Sequence, residues 1–430
     1  MNPAFTAMAP PFKCVLTHEE LLTGENATLQ LVQDERTRFI YDEQFGSTIA
    51  SEFDFVCEDK SKVQISSVIP MIGCLFGYLF VGALADRFGR RWVFILSAWL
   101  LVISGILAPL SPFYWVFLLS RFVIGFTSTG CTMVGWVLCC ESISVGLVAY
   151  YVRDWRHLCL VLSVPSAVYF SSYWLTPESL HWLLINKKFA EAERLISTIN
   201  FWDLLKSPLL VFYSAIWAFL SITAVLIYWG LSLFSTSLSS DRFIGYTLSG
   251  AIELPALVLG MALLQCLGRR TVVLTAYFIT ACALLTYSFI PDNSPAWASV
   301  VLWLLGKGGT MMIFSAFGLH HPEMMPTTMR NLTYGITRCF GSVGGIVAPY
   351  IGMLVYVDKK LPPMIFGMMA LISGLLCFFL PETRGRELPE DIPDVRKGPV
   401  LKAAGKCIDA VEKSKDDDSE ALGAKVNGAV

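Results

Sequence analysis

Long, nearly uninterrupted apolar stretches dominate the pattern of apolar and polar residues along the chain. A helix that crosses the hydrocarbon core of a bilayer needs about 20 mostly apolar residues. Ten stretches of that kind occur, with Gly and Pro scattered inside them, as membrane helices tolerate. They are 65–84, 92–110, 113–140, 158–175, 209–234, 244–267, 272–290, 296–319, 333–357 and 363–380. The pattern therefore predicts an all-α polytopic membrane protein with about ten spans.

Composition excludes an ordinary soluble domain. Hydrophobic residues make up 55% of the 430 residues and charged residues 15%, with a mean hydropathy of +0.59, whereas soluble proteins carry about 25% charged residues. The net charge of −2 indicates no polyanionic partner such as a nucleic acid. Residues 1–16 lack the basic start and apolar core of a signal peptide. The sequence contains no recognisable nucleophile–base pair, phosphate loop or metal cluster, so we expect neither an enzyme nor a bound metal or cofactor.

Two short motifs occur twice and divide the chain into related halves. Gly89-Arg90-Arg91 follows the first span, and Gly268-Arg269-Arg270 follows the sixth. Pro177-Glu178-Ser179 closes the fourth span, and Pro381-Glu382-Thr383 closes the last. Because basic residues favour the cytoplasmic side of a membrane, we expect all four turns there. Such parallel repeats resemble the arrangement of the major facilitator fold.

The spacing of these motifs differs between the halves. The chain advances 113 residues from Gly268 to Pro381 but only 88 from Gly89 to Pro177. The difference corresponds to about one membrane helix with its turn. The apolar remnant 145–152 rises only about 12 Å as a helix, too little to cross a core of about 30 Å. The loss of one helix would invert the sides of everything that follows unless this remnant is accommodated unusually.

The second half has two spans before its Gly-Arg-Arg turn, whereas the first half has one. We therefore expect the first half to lack its first and fifth helices. The sequence predicts five regions, which are a partial extracellular loop (1–64), an incomplete N-terminal transmembrane bundle (65–175), a central cytoplasmic loop (176–207), a C-terminal six-helix transmembrane bundle (208–380) and a disordered cytoplasmic tail (381–430).

The polar N-terminal region carries features of an extracellular loop. Cys14 and Cys57 lie in it, together with the glycosylation sequon at Asn26. Two cysteines and a sequon on one polar segment suggest one disulfide bond and an N-linked glycan on the outer side of the membrane.

Several motifs in combination identify a family. The residues from Gly82 to Arg91 read G-x-x-x-D-R-x-G-R-R and resemble the cytoplasmic motif of major facilitator proteins. The chain resembles the organic cation/anion/carnitine transporter family (solute carrier family 22-like) over about residues 1 to 392. The motifs that carry this resemblance are Arg153-Asp154-Trp155-Arg156, Tyr228-Trp229-Gly230-Leu231-Ser232, the 249–255 segment SGAIELP and the 381–390 segment PETRGRELPE.

The resemblance implies a multi-pass protein of the plasma membrane that transports small organic ions or zwitterions by alternating access. It implies no cofactor, and it leaves the oligomeric state open. The motif residues and the charged residues beside them are candidates for a cytoplasmic gate between the two bundles, or for turns that only set the topology. They are Asp86, Arg87, Arg90, Arg91, Arg121, Glu141, Glu178, Arg269, Arg270, Glu323, Arg330 and Glu382.

Ionisable residues inside spans mark either a transport pathway or a structural pair. The candidates for the pathway are Lys307, Arg338, Ser342, Glu253 and Tyr228. An equally open interpretation is that Lys307 and Arg338 pair with Glu253 or a carbonyl and hold helices together. In the family, a charged residue usually precedes the glycines that follow Ser342 here, acidic in many cation carriers and basic in anion and carnitine carriers. Arg338, one turn earlier, could supply that charge and favour anions or zwitterions.

Two alternative functions stay open at this point, and a metal site is a further question. A sugar porter shares several of these motifs, although the span 209–234 contains no Gln or Asn. A truncated, non-transporting isoform or interaction partner is the second, because an incomplete first bundle is expected to transport poorly. The adjacent His320 and His321 have no third ligand nearby, which favours polar packing over a metal site.

Overall fold

The computed structural model of the chain describes residues 12–14, 39–41, 49–53, 60–88, 90–131, 154–163, 207–235, 242–291, 295–326 and 329–385, with the single residues 55, 389 and 399. The membrane part within these ranges is helical, as predicted. The polar N-terminal segment adds a two-stranded antiparallel sheet, β1 (Phe12–Cys14) and β2 (Phe39–Tyr41), in which Phe12 lies opposite Tyr41. Strands of three residues are too short for a pattern of alternating polarity to predict them.

The described residues of the first half form five helices. They are α1 (Ile49–Glu52), α2 (Lys60–Phe88), α3 (Arg90–Leu110), α4 (Tyr114–Cys131) and α5 (Trp155–Ser163). Those of the second half form seven helices, and short 3-10 turns follow the last two. They are α6 (Pro208–Phe234), α7 (Arg242–Ala251), α8 (Glu253–Cys266), α9 (Arg269–Phe289), α10 (Ala296–Met324), α11 (Arg330–Met353) and α12 (Leu361–Leu376), with 3-10 turns at Leu354–Tyr356 and Cys377–Phe379.

Seven helical segments in the described part of the chain are long and apolar enough to cross a membrane, and each matches a predicted span. They are Lys62–Val81, Trp92–Leu110, Pro208–Leu233, Gly245–Cys266, Arg269–Phe289, Trp297–Met324 and Leu361–Phe379. Helices α4 and α11 form within two further predicted spans, but they contain arginines, which lower their hydropathy. The one remaining predicted span, 158–175, is the fourth along the chain and is described only as far as Ser163.

Aromatic side chains close one end of the first-half bundle. Neighbouring rings meet edge to face or offset, with centroids between 4.7 and 6.3 Å apart. The rings belong to Phe53, Phe55, Tyr114, Phe117 and Trp155. This cluster joins the end of the polar N-terminal segment to the first turns of α4 and α5, so these three parts lie at the same end of the bundle.

The chain therefore keeps its alternation of sides. Trp155 packs against Phe117, in the first turn of α4, and Arg156 donates to the carbonyl of Pro109 near the end of α3. Helix α4 advances about 26 Å away from this end, and α5 begins again at it. The inversion that a missing helix would cause is not found where α5 begins.

Glycines allow the helices to approach closely. A Cβ atom at Gly125 of α4 would collide with the backbone of Pro70 in α2, and one at Gly73 would collide with the carbonyl of Phe122. At Gly344 of α11, a Cβ atom would collide with the carbonyl of Ile222 in α6. Small residues at helix contacts are typical of membrane bundles, whose helices gain little from the hydrophobic effect and depend on close packing.

The described contact between the two halves runs along α2 and α11, which are antiparallel. Gly345 of α11 faces the sulfur of Met71, and Gly335 faces the backbone carbonyl of Tyr78. Apart from weaker contacts, this seam is where the described parts of the two halves meet. It contains small and apolar groups and the side chain of Tyr78.

Replacing Gly344 with Ala should destabilise the fold by about 1 to 3 kcal/mol, because the added methyl group would force α6 and α11 apart. The matched control is Gly318→Ala in α10, where a Cβ atom meets nothing within 4 Å; it should be neutral or stabilising by up to about 1 kcal/mol. Thermal unfolding of the purified variants measures both. Equal stability of the two variants would contradict the close contact at Gly344.

Candidate substrate pathway and cytoplasmic gate

A buried ion pair lies at the centre of the second half. The Lys307 ammonium of α10 is 3.3 Å from the carboxylate of Glu253, and their side chains are 0% and 2% exposed. Glu253 begins α8, where the span is interrupted between Ala251 and Glu253. Pro255 has no N–H to donate to the carbonyl of Ala251, which explains the interruption.

Helix α6 completes the surroundings of this pair. The Lys307 ammonium lies 3.6 Å from the ring centroid of Tyr228 and donates to its carbonyl at 3.2 Å and to the hydroxyl of Ser232. The Tyr228 hydroxyl donates to Glu253 at 3.4 Å. Three helices, α6, α8 and α10, are thus tied together through one compensated cation. This geometry corresponds to the interpretation of Lys307 as a structural pair, and its role in the pathway stays a prediction.

Arg338 has a different environment, between α10 and α11. Its guanidinium lies over the rings of Phe317 and Tyr334, 4.9 and 5.3 Å from their centroids. Its Nε and Nη2 atoms donate to the Tyr334 hydroxyl at 3.1 and 3.0 Å, and it interacts electrostatically with Tyr78 of α2. Ser342 donates only to the Arg338 carbonyl, at 3.4 Å. Among the described residues no carboxylate pairs with Arg338, so its charge is held by aromatic faces and a phenol at the seam between the halves.

A second polar cluster lies where α9 begins and α12 ends, at the end of the second half that we expect to be cytoplasmic. The carboxylate of Glu382 accepts from the backbone N–H groups of Arg269 and Arg270, at 2.8 and 3.2 Å, and from those of Thr383 and Arg384, at 3.0 and 3.2 Å. Gly268 permits this contact, because its φ of 105° is unfavourable for other residues and a Cβ atom there would press on the Glu382 carboxylate. Glu382 therefore caps the positive end of α9.

These contacts determine the protonation state of Glu382. Burial raises the pKa of this carboxyl, but the backbone N–H donors of Arg384, Arg269 and Thr383 outweigh burial and hold the pKa below its ordinary value. Glu382 is therefore ionised at neutral pH, as a cap on a helix N-terminus requires.

Glu323, at the end of α10, joins the same cluster. It pairs with the Arg269 guanidinium at 3.2 Å and accepts from the Thr383 hydroxyl at 2.5 Å. Arg270 donates to the carbonyls of Cys377 and Phe378. The two motifs Gly-Arg-Arg and Pro-Glu-Thr, more than 100 residues apart, thus meet and join α9, α10 and the end of α12 within one half.

The other candidate gate residues lie outside this cluster or have side chains that the structure does not describe. Arg330 begins α11 and does not join the Glu382 cluster; its Nε and Nη2 atoms are buried and have no hydrogen-bond partner among the described residues. For the remaining motif residues on α2 and α3 the structure describes only the backbone. They are Asp86, Arg87, Arg90 and Arg91.

Arg121, a further candidate gate residue, lies in the first half. It is two turns into α4 from the end formed by the aromatic cluster, it is buried, and its guanidinium lies 5.2 Å from the ring centroid of Phe117. The alternation of spans agrees with this end, because α3 begins at the Gly89 turn and ends where α4 begins. Arg121 is not among the residues that join the Glu382 cluster, and its role in the gate stays a prediction.

Several predicted sites lie wholly or partly outside the described residues. Glu141, Glu178, Asn26 and Cys57 are among these, and Cys14 is described only as backbone within β1. The disulfide and the glycan stay predictions.

Sequence reasoning missed the contacts of the Arg153-Asp154-Trp155-Arg156 motif. Glu52 accepts from the Trp155 indole N–H at 2.5 Å and from the Arg156 Nε at 2.6 Å. No local signal connects Glu52 to residues about a hundred positions away. It also missed Phe317 and Tyr334 as partners of Arg338, although the four-residue spacing of Tyr334 and Arg338 on one helix was a signal for that pair.

Replacing Lys307 with Met should destabilise the protein by about 3 to 5 kcal/mol, because it leaves the Glu253 carboxylate buried and unpaired. The single change Glu253→Leu should destabilise the protein by a similar amount, because it leaves the Lys307 ammonium buried without its carboxylate. The double variant should recover much of the loss, since both charges are removed together. Thermal unfolding and the yield of monodisperse protein measure these effects, and additive losses in the double variant would show that the two side chains are not coupled.

Replacing Glu382 with Gln should lower stability at neutral pH by about 1 kcal/mol, because a neutral amide interacts less favourably with the N-terminus of α9. A carboxyl with a lowered folded pKa stabilises above its ordinary pKa of 4.5 and loses this contribution as the pH falls through the lowered value. The difference in melting temperature between the two proteins should therefore shrink below about pH 4.5. A difference independent of pH would exclude the carboxylate charge as its cause.

The fold and the motifs find counterparts among known proteins. Residues 21–142 match the family model "Sugar (and other) transporter", and residues 244–408 match "Major Facilitator Superfamily". Among solved structures, a D-xylose-proton symporter superposes with a TM-score of 0.61 over 76% of this chain and 89% of that one, at 18% identity. At that identity the likeness concerns the fold alone. The chain has the fold of a major facilitator transporter.

Relatives whose family is known show which transporter family the chain belongs to. Solute carrier family 22 member 7 of Sus scrofa is 30% identical over 88% of this chain and 78% of its own length. Solute carrier family 22 member 3 of Mus musculus is 29% identical over 82% and 72%. An "Organic cation transporter protein" of Drosophila melanogaster is 28% identical over 87% and 79%. The chain belongs to solute carrier family 22, and it is a multi-pass membrane protein, as the motifs predicted.

Proposed function

We propose that this chain carries small organic ions across the plasma membrane by alternating access, and that substrates with an anionic group are favoured. The observation that supports this proposal most strongly is that only one of the two interior positive charges is paired with a carboxylate of the described residues. Lys307 is neutralised by Glu253, whereas Arg338 is surrounded by aromatic rings and hydroxyl groups.

Electrostatics supports an anionic group at Arg338. In surroundings of low dielectric, an uncompensated guanidinium attracts an anion far more strongly than it would in water. Its planar set of donors matches a carboxylate or sulfonate. A cationic substrate would instead need an acidic side chain. Glu253 already pairs with Lys307, and Ser342 stands where many cation carriers of the family have an acid.

The location of Arg338 also supports a role in the pathway. It lies on α11, the helix that forms the described seam with α2, and Tyr78 of the opposite half acts on it. A substrate held there would contact both halves, as rocking of two bundles around a central site requires. We assign the two bundles to 65–175 and 208–380, with the loop 176–207 and the tail 381–430 on the cytoplasmic side.

We place the cytoplasmic gate at the other end of the same seam. The antiparallel pairing of Met71 with Gly345 and of Tyr78 with Gly335, continued along both helices, brings the last turn of α2 to the first turn of α11. Asp86 belongs to that turn of α2, and Arg330 begins α11. An acidic residue near a buried guanidinium at a helix N-terminus would hold the two halves together until the gate opens.

Uptake measurements test the proposed substrate class. Cells or proteoliposomes containing the full chain should take up labelled benzenesulfonate saturably and discriminate against labelled tetraethylammonium. The change Arg338→Gln should raise the KM for benzenesulfonate about tenfold or more, because a charge-assisted hydrogen bond contributes about 1.5 to 3 kcal/mol.

Arg384→Gln is the matched control, since Arg384 is exposed and donates to the carbonyl of Cys266 at the cytoplasmic end. It should leave the KM unchanged. Preference for tetraethylammonium would support a cation carrier instead. Absence of saturable uptake of both probes would favour the non-transporting alternative.

A further inference from the structure

Two adjacent histidines on α10 lie between the Arg338 site and the cytoplasmic cluster. His320 and His321 are completely buried. Both rings pack edge-on against the ring of Trp217 in α6, with centroids 5.4 and 5.3 Å away. Neither residue is explained by the gate or by the pathway as described so far.

Hydrogen bonding assigns the proton on each neutral ring. The Nε2 atom of His320 lies 3.0 Å from the carbonyl of Pro381, which can only accept, so Nε2 carries the proton. The Nε2 atom of His321 lies 3.2 Å from the Thr337 hydroxyl, which already donates to the Thr333 carbonyl at 2.7 Å. His321 Nε2 is therefore also the donor. This leaves a lone pair on each Nδ1 atom, and both atoms are buried without a hydrogen-bond partner in the described part of the chain.

Only one of the two histidines shares the surroundings of Arg338. The His321 ring stacks parallel to Phe317 at 6.0 Å and packs edge-on against Tyr334 at 5.6 Å. These are the two rings on which the Arg338 guanidinium lies. The charged or titratable groups facing His321 are Arg338 and Tyr334 from α11 and His320 from α10 itself, while Trp217 of α6 is neutral. His320 faces the cytoplasmic cluster, where Glu382, Glu323 and Arg269 act on it.

The charges of Arg338 and His321 are therefore coupled. A proton on His321 would place two positive charges in one pocket of low dielectric, which costs Coulomb energy. An anion bound to Arg338 removes that cost, so binding of the anion favours binding of the proton. Linkage requires the reverse as well, and the proton strengthens binding of the anion by the same factor.

We propose that His321 takes up a proton at Nδ1 together with an anionic substrate at Arg338, so that this chain co-transports protons with organic anions. The proton comes from water and forms an N–H bond with the Nδ1 lone pair, and it returns to water when the anion leaves. The empty pocket carries one positive charge. The pocket loaded with a monovalent anion and a proton carries the same charge, so both forms can reorient without an additional charge crossing the membrane.

This inference rests on the proposed function, and a binding experiment separates the two. Benzenesulfonate is a suitable probe because it stays anionic throughout the accessible pH range. Its binding to the purified full-length chain is measured by calorimetry in buffers with different ionisation enthalpies, between about pH 8 and about pH 6. The dependence of the heat on the buffer gives the number of protons taken up per anion. For the wild-type chain this number should rise toward about one as the pH falls.

His321→Gln should bind benzenesulfonate at the higher pH without proton uptake, because the Gln amide can still donate to Thr337 but does not titrate. His320→Gln is the matched control and should retain proton uptake, since His320 faces Pro381. His321→Asn is a second variant should the first fail to fold. In proteoliposomes, an inward proton gradient should accelerate benzenesulfonate uptake by the wild type but not by the His321 variants.

Arg338-dependent binding without proton uptake by the wild type would overturn the coupling and leave the proposed function standing. Proton uptake that persists in both His321 variants would also overturn it, because another group would then carry the proton. If the wild-type chain fails to bind or transport benzenesulfonate, the proposed anion site fails and the coupling falls with it.

Discussion

The hydrocarbon surroundings require that each charge inside the helical bundle be stabilised by the protein. Placing an isolated charged side chain there costs about 3 kcal/mol or more of free energy. The second half meets this requirement in two ways. Lys307 receives the carboxylate of Glu253, the ring of Tyr228 and two oxygen acceptors. Arg338 receives two rings and a phenol hydroxyl but no anion from the described residues. One cation is thereby paired within the protein, and the other lies against aromatic rings.

The same distinction separates rigid contacts from mobile ones. Within the second half, Glu382 and Glu323 connect α9, α10 and the end of α12 through charged hydrogen bonds, which resist separation. The described seam between the halves instead consists of glycines on α11 facing Met71 and the backbone of Tyr78. Contacts of glycines with apolar groups and with backbone have little directionality, whereas charged hydrogen bonds fix the helices that they join.

Family membership and the individual site contribute different information. The Gly-Arg-Arg and Pro-Glu-Thr motifs belong to the scaffold, and they meet as they would in any complete second bundle. Ser342 and His321 concern this chain's own surroundings of Arg338, where position 342 is not acidic and the His321 ring and the Arg338 guanidinium both lie against Phe317. The substrate preference that we propose rests on these side chains rather than on the fold.

Much of the architecture could be predicted from local sequence, because the length of an apolar stretch is set by the thickness of the bilayer. Seven predicted spans are confirmed in that way, and the repeated motifs indicated the two halves and the family. The sequence left open which cation pairs with Glu253, and it could not show that Arg338 stacks on Phe317 or that Glu52 binds Trp155. Each depends on which helix faces which, and that is decided by glycine contacts and aromatic packing between residues far apart in the chain. Sequence alone therefore determined which segments enter the membrane, whereas the tertiary structure decided which interior charge pairs with a carboxylate and which one lies against aromatic rings.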